Sequence, residues 1–117
     1  MRPPGADRVD VRGTARLIVG RLVTSSALAD QLADRVAQWV AENASQIGDH
    51  QLAWTAARAI GEGLEALASG SATAMSAGQL IVLRELPVAA QVSVALHHFC
   101  GLSVDDVALY TARTPAE

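Results

Sequence analysis

The residues best equipped for chemistry stand close together late in the chain: His97, His98 and Cys100. Imidazole and thiolate are both zinc ligands. On a helix, however, successive side chains point about 100° apart, so only His97 and Cys100 share a face. His50 is the other histidine, and no second Cys or acidic-His pattern completes a tetrahedral set. The cluster therefore reads as ordinary helix residues, and no metal or other cofactor is expected. A Cys-His nucleophile fails as well, because Gly101 ends the helix and no third residue orients the base.

Other candidate groups reduce in the same way. Asp30 with Asp34 and Glu62 with Glu65 have the spacing of paired carboxylates, but both pairs lie on polar helix faces and read as solvated surface. Ser69-Gly70-Ser71 lacks the Lys and the preceding strand of a phosphate loop. The tryptophans have faces on which bases can stack. Trp39 falls on an apolar stripe and reads as core, whereas Trp54, off the main stripe, either packs internally or meets a partner. No residue set points to an enzyme.

The frame that positions these residues is helical. Half of the 117 residues are hydrophobic and only 3 % are aromatic, so a core is within reach but must rely on close helix contacts. Ala is the best helix former, and strand-like alternation is scarce. The expected fold is all-α, a small bundle of about five or six helices, either two subdomains or one collapsed bundle.

Charge and cysteine usage narrow the function classes. Nine Arg and no Lys face twelve acidic residues, a net charge of −3, and neither half of the chain is basic. Nucleic-acid binders draw most of their affinity from phosphate neutralisation, so autonomous DNA binding is not expected. The lone Cys forms no internal disulfide. The polar start MRPPGADRVD lacks the apolar stretch of a signal peptide, and runs such as Leu17-Ile18-Val19 are too short to span a bilayer. The expected location is the cytoplasm, away from membranes. The Asn43-Ala44-Ser45 sequon then reads as chance.

Along the chain, a polar tail leads into a first helix ending near Val23. Thr24-Ser25-Ser26 offers an N-cap for a second. Leu28, Leu32, Val36, Trp39 and Val40 recur there at helical spacing, opposite Asp30, Asp34, Gln38 and Glu42. After Gly48, Asp49 is the expected cap of a third helix, with Leu52, Ala56, Ile60, Leu64 and Leu67 on one face. Gly61 and Gly63 each cost this helix about 1 kcal/mol relative to Ala, which implies tight packing or a bend. The division expected is residues 1–68, a linker over 69–75, and residues 76–117. Ser76 and Gln79 form a capping box, Pro87 restarts the chain at a helix's first position, Gly101 closes that helix, and Ser103 caps the next.

Leu86-Pro87-Val88-Ala89-Ala90-Gln91-Val92-Ser93-Val94-Ala95-Leu96-His97-His98-Phe99-Cys100-Gly101-Leu102-Ser103-Val104-Asp105-Asp106-Val107-Ala108 resembles the promoter-reading domain of bacterial sigma factors of the extracytoplasmic-function type. Leu86-Pro87, Leu96, Phe99, Gly101-Leu102-Ser103, Asp105-Asp106 and Val107-Ala108 fall in register without a gap. Upstream, Ala29–Val40 is similar to that family's polymerase-binding helix, and Leu52–Ile60 to its promoter-opening helix. Family arginines are replaced by Gln91 and His97, and Cys100 stands where an acidic residue is usual. The recognition helix would begin near Thr114, leaving Arg113 and Thr114 as the DNA-facing candidates. Base reading needs several side chains on one groove-entering helix, so the resemblance implies a partial helix-turn-helix with little DNA reading.

The segment from Pro87 to Phe99 is apolar around nearly its whole circumference and must be covered on more than one side. It is either the centre of the bundle or a protein interface. The expected interface residues are Leu28, Leu32, Val36, Trp39, Val88, Val92, Leu96 and Phe99. The resemblance implies RNA polymerase, a regulator of sigma factors or a second copy as partner. The alternative is a helical oligomerisation or partner-binding module unrelated to transcription.

Overall fold

The computed structural model describes residues 10–73 and 75–105, and among these every regular element is helical. The protein is all-α, as expected. Asp10 starts helix α1 (Val11–Leu22): its carboxylate accepts from the Gly13 N–H at 2.9 Å, satisfying a donor the first turn leaves orphaned. Ser25 does the same for α2 (Ser26–Glu42), accepting from Leu28 N–H at 3.2 Å. The two helices run antiparallel. Arg12 meets Asp34 at 2.6 Å and Arg16 meets Asp30 at 2.8 Å, both on the exposed side. Asp30 and Asp34, expected as solvated surface, are thus exposed, and each is held by an α1 arginine.

A single turn, α3 (Ala44–Ile47), leads into a tight turn over Gly48–His50. Gly48 takes φ +57 there, a conformation that favours glycine. The cap of α4 (Gln51–Ala68) falls at His50, one residue later than the expected Asp49, and His50 makes no side-chain capping bond. The tight turn runs on through His50, which moves the start of the helix. Leu52, Ala56 and Ile60 are buried as their spacing predicts, while Leu64 and Leu67 are half-buried against the core.

Ser76 and Gln79 form the expected capping box, with reciprocal bonds of 3.2 and 3.0 Å, and open α5 (Ala77–Glu85). Pro87 stands at the cap of α6 (Val88–Val94), so Val88 rather than Pro87 is the first helical residue. The helix then widens into a π-turn over Ala95–Phe99, with Cys100 N–H donating to Ala95 O at 3.0 Å. Gly101 reverses the chain at φ +76, and Leu102 N–H donates back to Leu96 O at 3.0 Å. The left-handed glycine closure expected there is present, in a form one residue wider than usual. Residues from Asp106 onward, with Arg113 and Thr114, lie outside the described residues.

The core sits where α1 packs against α2 and α4, and α6 packs onto α4. Ile18, Leu22, Val36 and Ile60 are fully buried in it, together with Val92 and Leu96 from beyond the 69–75 segment. Burying each such aliphatic side chain contributes about 1.5–3 kcal/mol. Thr24 N–H donates to Ala72 O at 3.0 Å and ties that segment to the end of α1.

Candidate partner-binding surface

The α6 end carries the residues singled out as chemically competent, and their geometry is structural. The His97 Nδ1–H donates to Leu102 O at 2.8 Å, locking the turn after Gly101. The His98 ring packs edge-on against His97, with centroids 4.7 Å apart. Burial raises the Cys100 thiol above its ordinary pKa, so less of it is thiolate at neutral pH. Among the described residues no group of three or more His, Cys, Asp or Glu side chains converges.

The eight residues expected at an interface divide sharply. Leu32, Val36, Val92 and Leu96 are buried in the chain's own core and offer no surface to a partner. Both helices pack against α4, so the stripe that periodicity marks as apolar is already covered. Leu28, Trp39 and Phe99 are half-buried against that core, and Val88 is 44 % exposed.

Two concave regions stand out among the described residues. The first is a groove of about 480 Å³ between α5 and α6, lined by Met75, Gly78, Val82, Leu86, Val94 and Phe99, with His98 at its edge. It has an apolar wall because α5 buries only Leu83 and leaves Val82 60 % exposed. A shallower hollow beside it shares Val94 and His98 and reaches Val104. Among the described residues no carboxylate lines either surface. Among the described residues α5 is anchored by the buried Leu83 and by a hydrogen bond from Gln91 Nε2–H to Leu83 O at 2.8 Å.

The second surface is a cleft of about 400 Å³ along α4, walled by Trp39 from α2 and by Val88 and Gln91 from α6. Trp39 and Trp54 lie 5.7 Å apart at a 45° tilt, and the Arg58 guanidinium sits over the Trp39 ring at 5.1 Å. Arg58 also pairs with Glu62 at 3.1 Å, and Arg35 from α2 reaches the same carboxylate at 3.5 Å. Glu62 is therefore buried, 7 % exposed, contrary to the solvated surface expected of it. Two arginines from two helices offset the cost of removing that charge from water. The visible signal was Arg58 one turn before Glu62; the Arg35 contribution depends on how α2 meets α4. Trp54 is half-buried at the cleft.

No family model, curated protein or solved structure matches this chain. Among the described residues no helix is long and apolar enough to cross a membrane.

Proposed function

We propose that this chain is a sigma-factor-like, cytoplasmic protein that acts in transcription through protein contacts, with the α5–α6 groove as its docking surface. The observation that carries the reading is the groove itself: an apolar channel, free of carboxylates among the described residues of an acidic protein, walled by a helix that buries a single residue. An uncovered surface of that kind marks an interaction site. The Leu86-Pro87 start, the Gly101 reversal and the Leu102 bond back to Leu96 support the sigma-like assignment of α6. By that resemblance the partner is RNA polymerase. The deficit of basic residues argues against promoter reading by this chain.

Co-purification of the tagged chain with RNA polymerase from a cell that encodes it tests the reading. Polymerase subunits should be retained, and Val94→Asp, in the groove wall, should release them while the chain stays helical. Absence of polymerase, or retention unaffected by Val94→Asp, would leave a helical module unrelated to transcription. Titration with duplex DNA at low and high salt should show no salt-dependent binding; salt-dependent binding would restore a DNA-reading role.

A further inference from the structure

We infer that the cleft along α4 receives helix α5 of a second copy of this chain, forming a reciprocal dimer. The inference rests on the reading that the protein works through protein contacts, but it uses a different face from the α5–α6 groove.

The floor of the cleft is long enough to seat a short helix. Along α4 its floor runs from Trp54 through Ala57 and Gly61 to Glu65, a distance of about 16 Å at the helical rise. Gly61 is costly inside a helix, and the protein's own packing does not require it: no heavy atom of a neighbouring element lies within 4 Å of where its Cβ would stand. Gly63 differs, since a Cβ there would run into Leu22. An open glycine on the floor of a cleft admits close approach of another backbone.

Helix α5 has matching features. Its nine residues measure about 13 Å. Ile81 is 55 % exposed and does not line the α5–α6 groove, so it faces solvent on another side of the helix. Charge makes the match specific. Among the described residues neither Arg84 nor Glu65 has an ion-pair partner, and both are exposed. Arg84 follows Ile81 by three positions, and Glu65 follows Gly61 by four. With Ile81 laid over Gly61 and the incoming α5 parallel to α4, Arg84 comes opposite Glu65. Trp54 closes one end of the seat.

The two halves of the contact also adjoin on one protomer. Gln91 lines the cleft and, through the same side chain, donates to Leu83 O of α5. A surface that holds a seat and its matching helix side by side is self-complementary, as a two-fold interface requires.

Sedimentation equilibrium over a wide concentration range tests this on the full chain. The protein should dimerise. Arg84→Glu and Glu65→Arg should each raise the dimer dissociation constant by about tenfold or more, and the double reversal should recover most of the affinity. Ile81→Glu should give a monomer of unchanged helicity by circular dichroism. A monomer at every concentration, or a dimer indifferent to both charge reversals, would overturn the inference. Val94→Asp, which probes the polymerase-docking groove, should leave dimerisation intact, so the two readings fail separately.

Discussion

Leu22 of α1 fills the space in which a side chain at Gly63 of α4 would stand: a Cβ there would lie 3.2 Å from the Leu22 Cβ and overlap its Cδ1. The glycine lets α1 and α4 approach at the centre of the core. Two chemically identical substitutions should therefore have opposite signs. Gly63→Ala gains about 1 kcal/mol of helix propensity but meets a fully buried leucine, and overpacking costs about 1–3 kcal/mol; the net change should be destabilising. Gly61→Ala meets nothing and should stabilise by up to about 1 kcal/mol. Urea unfolding at dilute concentration reads both, and equal shifts for the two would refute the packing assignment.

Thr55 is fully buried in α4, and its hydroxyl oxygen has no hydrogen-bond partner among the described residues. An unsatisfied buried hydroxyl costs about 1–3 kcal/mol. Thr55→Val keeps the branched shape and removes that group, so the denaturation midpoint should rise by the equivalent of about 1 kcal/mol. A fall in the midpoint would show that the hydroxyl is satisfied in solution.

The local determinants of this fold were legible because they act within one turn. Ser25 and the Ser76–Gln79 pair cap where their spacing says, and the α2 and α4 stripes bury at helical period. What periodicity does not encode is which neighbour covers a stripe. Val92 and Leu96 are apolar on either reading of their helix, and only the placement of α6 against α4 assigns them to the core. Glu62 departs from the solvated surface its spacing implies for the same reason: its counter-charge comes in part from Arg35, a residue of another helix. The candidate surface was visible in part, through Val88 and Phe99, while the exposed face of α5 at Ile81 and Val82 was not singled out.

Glu62 can be probed by removing its charge and little else. Glu62→Gln keeps the volume and an acceptor but leaves Arg35 and Arg58 without a counter-charge in a partly covered cleft. Both arginines are largely exposed, and solvent screening reduces the penalty below that of a fully buried pair. The expected loss is about 1–2 kcal/mol by urea unfolding, smaller in high salt. Arg58 should also lose order over Trp39, changing tryptophan fluorescence. An unchanged midpoint and spectrum would mean that the carboxylate does not organise the cleft.

Cys100 gives a pH-dependent prediction. Its thiol is raised by desolvation at the end of the π-turn, so the folded state holds this proton more tightly than the unfolded chain. The associated stability is fully present below the unfolded thiol pKa and is lost as pH rises through the folded value. Stability should thus decline in the alkaline range, and Cys100→Ala should flatten that decline. At neutral pH, iodoacetamide should label the folded protein more slowly than the denatured chain, since the thiolate is the nucleophile. Equal labelling rates would place the thiol in water.

Leu96 and Phe99 stand three residues apart on the same turn, yet aspartate should do different things at each. Leu96 is fully buried with Val92 and Ala95, and a carboxylate there has no counter-charge. Leu96→Asp should cost at least about 3 kcal/mol, a large share of the roughly 5–15 kcal/mol that holds an ordinary domain folded. Phe99 is half-buried and lines the α5–α6 groove, where the new carboxylate keeps access to water. Phe99→Asp should lower the melting temperature by a few degrees and leave the helical signal intact, while a partner that fills the groove should no longer bind. Circular dichroism separates the two variants, and partner retention then reports on the groove alone. If Leu96→Asp leaves the melting temperature unchanged, α6 is not part of the core; if Phe99→Asp unfolds the chain, the groove is core rather than surface.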